Sequence, residues 1–195
     1  MTQAPHTFAD RARRLKALTT SMHDTLDRRI MDAGIFSSRE RYSSFLRVQY
    51  RFMRDVDALY ARADLVALLP DLRERRRLDL VEQDLADLGA EPPPAPSAIG
   101  ADAPLPHALG WLYVSEGSTL GAAVLYKLAG SRLGLDRDFG ARHLDGHPEG
   151  VARHWRGFAA ALDAVPLTPE QEQLVVTGAQ AAFGTVRGYV EQEFA

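Results

Sequence analysis

The sequence predicts an all-α domain, a single bundle of about six to eight helices. Three observations carry that expectation. Apolar residues recur at helical spacing over long stretches, and nothing alternates with period two for long enough to argue a sheet. Residues that start and stop helices punctuate the chain where those stretches begin and end. At 195 residues the chain suits one domain, 1–195, with enough mass to bury a core.

Residues 1–7 are expected to be flexible. Phe8 to about Met31 reads as an amphipathic helix, since at ~100° per residue Phe8, Leu15, Met22 and Leu26 form a narrow stripe. Ala12, Leu18 and Ile30 widen it, and Ala33-Gly34 ends it. Ser37-Ser38-Arg39-Glu40 has capping-box spacing, with the Ser37 hydroxyl and Glu40 carboxylate covering free backbone amides. The helix behind it is expected to run to about Arg62, and its aromatic residues, Tyr42 to Tyr60, read as core. After Pro70, Asp71 can cap a charged helix ending near Leu88-Gly89. Residues 90–106 are rich in proline and glycine and read as a connection inside one domain, because either half alone would have little core. Helical pattern resumes from about Pro106 to Gly130, followed by a loop holding Gly134, Gly140, Gly146 and Gly150. A helix over roughly Val151 to Val165 comes next. Thr168-Pro169-Glu170-Gln171 then opens the last one, with Thr168 as cap and proline at the first helical position.

The formal charge is only −3, so no global field calls for nucleic acid or a membrane surface. Arginines cluster at Arg11-Arg13-Arg14 and at Arg73 with Arg75-Arg76-Arg77, and both groups read as solvated helix faces compensated by nearby acids. With no cysteine, the chain has no disulfide, thiolate ligand, iron–sulfur cluster or cysteine nucleophile. The first residues lack the apolar run of a signal peptide and no segment reaches membrane-spanning length, so the expectation is a cytoplasmic protein.

Gly117 and Gly121 stand four residues apart inside the Pro106–Gly130 helix, where each glycine costs ~1 kcal/mol against alanine. That spacing puts them on one face together with Tyr113, making a strip of bare backbone with a phenol at one end. A flat, rigid object could lie against such a strip; close helix–helix packing through small residues is the competing reading. Among six histidines, only His23 lies mid-helix on the flank of an apolar stripe. It reads as a hydrogen-bonded residue at the core edge or as a ligand. Lys16, seven residues earlier, points in nearly the same direction about 10 Å along the axis. A planar group held by His23 would have an ammonium near its rim, a separation that suits haem.

Leu109 to Ala123 resembles the distal-helix motif of bacterial haem oxygenases of the haem-uptake and bacteriophytochrome-associated branch. The likeness extends to the histidine-bearing first helix, to Phe139-Gly140-Ala141-Arg142-His143-Leu144 and to Glu193-Phe194-Ala195, and covers most of the chain. The resemblance implies an all-helical fold with haem between a proximal helix and a kinked distal helix. It implies that His23 is the axial ligand of the haem iron and that Gly117 and Gly121 lie over the macrocycle, where bare backbone steers the reaction sterically. Lys16 and Tyr113 match positions that meet the propionates. Ser118, beside the first distal glycine where animal relatives carry an aspartate, counts by the resemblance among the haem-binding residues but is not assigned as an acid. Arg142 is a candidate for a network role, and Arg187 for a second propionate partner.

The reaction so implied is cleavage of haem b to biliverdin, Fe2+ and CO, using O2 and electrons from an external reductase or ferredoxin, with haem as both cofactor and substrate. A bacteriophytochrome or another biliverdin acceptor is the implied downstream partner. Lys16 and Tyr113 match the pattern selective for the IXα isomer. A branch opening haem elsewhere has asparagine and phenylalanine there, and a lysine on the distal helix where this chain has Leu128, next to Lys127. The alternatives are a haem-binding carrier or sensor on the same fold that does not turn over, and a thiaminase-like enzyme, whose usual cysteine nucleophile is missing.

Overall fold

The computed structural model describes residues 10–94 and 97–195, so the expected flexibility of 1–7 and the helix start at Phe8 lie outside the described residues. Among those residues the chain forms α1 (Arg11–Asp32), α2 (Arg39–Val56), α3 (Ala63–Leu68), α4 (Leu78–Asp87), α5 (Leu105–Gly117), α6 (Thr119–Leu133), α7 (Val151–Ala164) and α8 (Pro169–Glu193). Short 3-10 turns at Asp57–Ala61, Leu72–Arg75 and Arg142–Leu144 join them. The only β feature there is an isolated bridge between Asp136 and Gly140.

The most extensive packing is between α5 and α8. A Cβ on Gly110 would overlap the Val175 carbonyl, and one on Gly178 the His107 carbonyl. Glycine at both positions is what lets these two backbones touch. Helix α1 runs beside α8 in the same direction. Near its start the Arg11 and Arg14 guanidinium groups hold Glu172 at 2.6 and 2.7 Å, and near its end Arg29 donates to the Phe194 carbonyl at 2.9 Å. Arg11 is fully buried, with further bonds to the carbonyls of Leu162 and Val165. It is a clamp between α1, α7 and α8, not part of a solvated face.

Four element boundaries depart from the expectation, the first being the end of α2, which stops at Val56 rather than about Arg62 and gives way to the Asp57–Ala61 turn and α3. The cap of α2 is Ser38, one residue later than Ser37, and its hydroxyl accepts from the Arg41 amide at 3.2 Å. Asp71 caps no helix. It adopts a left-handed conformation (φ 56°), which a short polar side chain tolerates, and its carboxylate takes two hydrogen bonds from Arg75 at 2.8 and 3.0 Å. The charged helix therefore starts only at Leu78. The stretch expected as one helix from Pro106 to Gly130 is two, broken at Ser118. There the Ser118 and Thr119 hydroxyls donate to the carbonyls of Ser115 and Glu116, each at 2.7 Å, a side-chain competition that bends helices. The last helix starts as expected, with a complete Thr168–Gln171 capping box.

Candidate active site

On α1, Lys16, Thr19, Thr20 and His23 share one face. Lys16 is exposed and makes no ion pair among the described residues. The His23 side chain is 56% exposed. Its Nδ1 lies 3.3 Å from the Asp27 carboxylate one turn later, and the Phe183 ring of α8 meets it edge-on at 6.1 Å. An acceptor at Nδ1 draws the ring proton there and leaves the Nε2 lone pair free. The Asp27 carboxyl is raised above the ordinary aspartate range, mainly by burial, against the attraction of His23. Sequence reading missed Asp27, although the four-residue spacing from His23 was the signal that could have found it.

The second face belongs to α5 and α6. Tyr113 is buried, with burial pushing its phenol up against the opposing bond to the Thr19 hydroxyl. Trp155 of α7 packs edge-on against its ring at 5.7 Å. A Cβ on Gly117 would touch Trp155 at 3.7 Å, an ordinary contact, and one on Gly121 would find nothing within 4 Å. The tight glycine packing of this molecule is therefore at Gly110 and Gly178, and the helix-packing reading of Gly121 fails. Beside Gly121, Leu120 and Val124 are 46% and 63% exposed. Side chains of that kind left in water on one face of a helix mark a surface that something apolar covers.

Helix α6 packs on α5, α7 and the Arg142–Leu144 turn and makes no extensive contact with α1. Lys16 and His23 of α1 and Gly121 and Val124 of α6 are exposed, while Tyr113 is buried against Trp155. These residues fit a porphyrin: a free imidazole nitrogen for the metal, bare backbone and apolar side chains for the ring, an ammonium and a phenol for its acidic edge.

Residues 9–192 match the family described as heme oxygenase. The chain belongs to the haem oxygenase family. It is 42% identical over 186 residues to heme oxygenase PigA of Pseudomonas aeruginosa, covering 95% of this chain and 93% of that relative. Its fold superposes with a TM-score of 0.89 on the NO- and CO-bound heme oxygenase of Neisseria meningitidis, also 42% identical, covering 95% of this chain and 92% of the other. The heme oxygenase of Leptospira interrogans, 16% identical, shares the fold with a TM-score of 0.77 over 94% of this chain and 99% of its own. The all-helical class and the haem-cleaving activity expected from the sequence both stand with this family. No helix among the described residues is long and apolar enough to cross a membrane.

Two other candidates from the sequence have different places. Arg142 is bonded to Asp84, Asp87 and the Asp138 carbonyl, so it fastens its own loop to α4. Arg187 is exposed, pairs with Glu191 at 2.7 Å, and lies on α8 beyond Phe183, away from the Lys16 end of α1. Ser118 keeps its hydroxyl on the Ser115 carbonyl. Two cavities of about 430 and 370 Å³ are both lined by Arg75, His147 and His154, the second also by Glu116 and Thr119.

Proposed function

We propose that haem lies in a cleft between α1 and α6 with His23 as its axial ligand, and that the product is biliverdin IXα with Fe2+ and CO. The observation that carries this reading is Gly121, where a Cβ would meet nothing within 4 Å beside exposed Leu120 and Val124, taken together with the exposed imidazole of His23 on α1. When bound, haem supplies the redox chemistry of its own cleavage, with O2 and electrons from a separate donor protein. The chain supplies orientation. Asp27 fixes the tautomer of His23 and makes it a better donor at Nε2, and the Phe183 edge restricts rotation of the ring. Leu120 and Val124 shed water onto the macrocycle, and the bare backbone at Gly121 leaves room on the reacting face in one direction only. Lys16 and Tyr113 hold the acidic edge of the ring and so set its in-plane rotation, Lys16 with a charge-assisted bond. A cytoplasmic location and a biliverdin acceptor downstream belong to the same proposal.

Chromatography of the extracted product against isomer standards tests it. The IXα isomer is expected as the main species, and a β or δ isomer in its place contradicts the roles of Lys16 and Tyr113. A haem complex that persists under O2 and ascorbate would instead fit a carrier.

A further inference from the structure

Glu116 immediately precedes Gly117, and its carboxylate is buried. Two donors hold it, the Tyr60 hydroxyl at 2.8 Å and Arg75 Nη1 at 3.0 Å. The Tyr60 oxygen also lies 2.8 Å from the Ser115 hydroxyl. Arg75 is itself buried, at 4% exposure, and spends its remaining donors on Asp71 and on the His154 carbonyl at 3.2 Å. Its guanidinium plane sits over the Phe158 ring at 5.6 Å. One planar cation thus ties together the Leu72–Arg75 turn, the end of α5, and the first two turns of α7. Those turns of α7 also carry Trp155, the side chain that faces Gly117 and Tyr113.

The break at Ser118 needs such a tie. The Ser118 and Thr119 hydroxyls occupy the carbonyls of Ser115 and Glu116, so the backbone there is a hinge unless something behind it is rigid. The groups that surround the hinge from behind are Tyr60, Arg77, which donates to the Ser115 carbonyl at 3.3 Å, and Arg75 through Glu116. Among the described residues, Arg75 is the side chain whose hydrogen bonds join Glu116 to α7, beside the Trp155 ring that packs at Gly117. We infer that Arg75 is a positioning residue for haem cleavage: through Glu116 and the His154 carbonyl it fixes the α5–α6 break against α7, and so sets where Gly117 and Gly121 stand over the ring. A lysine could not do this, because a point charge cannot serve Asp71, Glu116 and a carbonyl in three directions as a rigid fork does.

This inference rests on Gly121 facing haem, and the test separates the two. Hydrogen–deuterium exchange of the haem-free protein is measured for wild type, Arg75→Met and Arg75→Lys, followed by haem affinity, kcat and product isomers. For the Arg75 variants, amides 113–121 are expected to exchange at least about tenfold faster while those of α1 and α8 keep their rates. Haem affinity is expected to change little, kcat to fall, and the isomer purity to drop. Should Arg75→Met fail to fold, Arg75→Lys, which keeps the charge, carries the same expectations. Unchanged exchange at 113–121 overturns the inference. So does faster exchange with wild-type kcat and a single isomer, and Gly121→Leu then discriminates: if it is inactive, only the role of Arg75 falls, and if it is active, the haem-facing assignment of Gly121 falls as well.

Discussion

Gly121→Ala should stabilise the haem-free protein and impair the enzyme. The position is helical, its backbone needs no positive φ, and a Cβ there meets nothing within 4 Å. The substitution therefore adds no clash and removes the entropic penalty of glycine, up to ~1 kcal/mol in a helix. For a chain of this length that corresponds to a rise in Tm of about 2–4 °C. Gly178→Ala is the contrasting case, because its Cβ would overlap the His107 carbonyl and force α5 and α8 apart, which costs at least ~1–3 kcal/mol. Thermal unfolding of both haem-free variants followed by circular dichroism gives the two signs. Turnover with haem then falls for Gly121→Ala, since the added methyl stands where the ring would lie. A lower Tm for Gly121→Ala would show that the glycine serves packing, and the argument for an open ligand face would be wrong.

Two further outcomes concern stability. Arg11→Ala should lower the unfolding free energy by ~3–5 kcal/mol, seen as a shift in urea midpoint, because Glu172 would be left buried without its main partner. Acid should also weaken the fold in a specific window. His143 is buried with its Nδ1 2.7 Å from Asp84, and burial holds its pKa below the ordinary histidine value, as it also does for His107 and His154. The unfolded chain then binds more protons, so stability is full above about pH 6.5 and falls as pH drops below it. His143→Gln should flatten that fall in urea titrations between pH 7 and 5, and an unchanged slope would place the proton uptake elsewhere.

Much of the fold was legible because helical periodicity and end signals agree over long stretches. The Thr168 capping box and the apolar stripe of α1 are examples. Charged residues were harder to read. Arg11 and Arg75 sit in clusters whose other members are exposed or half-buried, and nothing local distinguishes a guanidinium that will find Glu172 or Glu116 far along the chain. Helical periodicity alone ran through the break at Ser118, which depends on which carbonyls the two hydroxyls choose, and only the resemblance implied a kinked distal helix. For the candidate site, spacing on their own helices singled out His23, Lys16, Tyr113 and Gly121, and their role toward haem is what we propose. How α1 and α6 stand to one another is set by tertiary packing, as is the edge of Phe183 against His23.

The central claim is that His23 holds the haem iron in the cleft opposite Gly121. The resonance Raman spectrum of the ferrous haem complex tests it most directly, through the iron–imidazole stretching band. Wild type should show the band, His23→Ala should lack it, and adding imidazole to the variant should restore it along with part of the turnover. A His23→Ala complex that keeps both the band and wild-type turnover would show that another histidine binds the iron, and the cleft assigned here would be the wrong one.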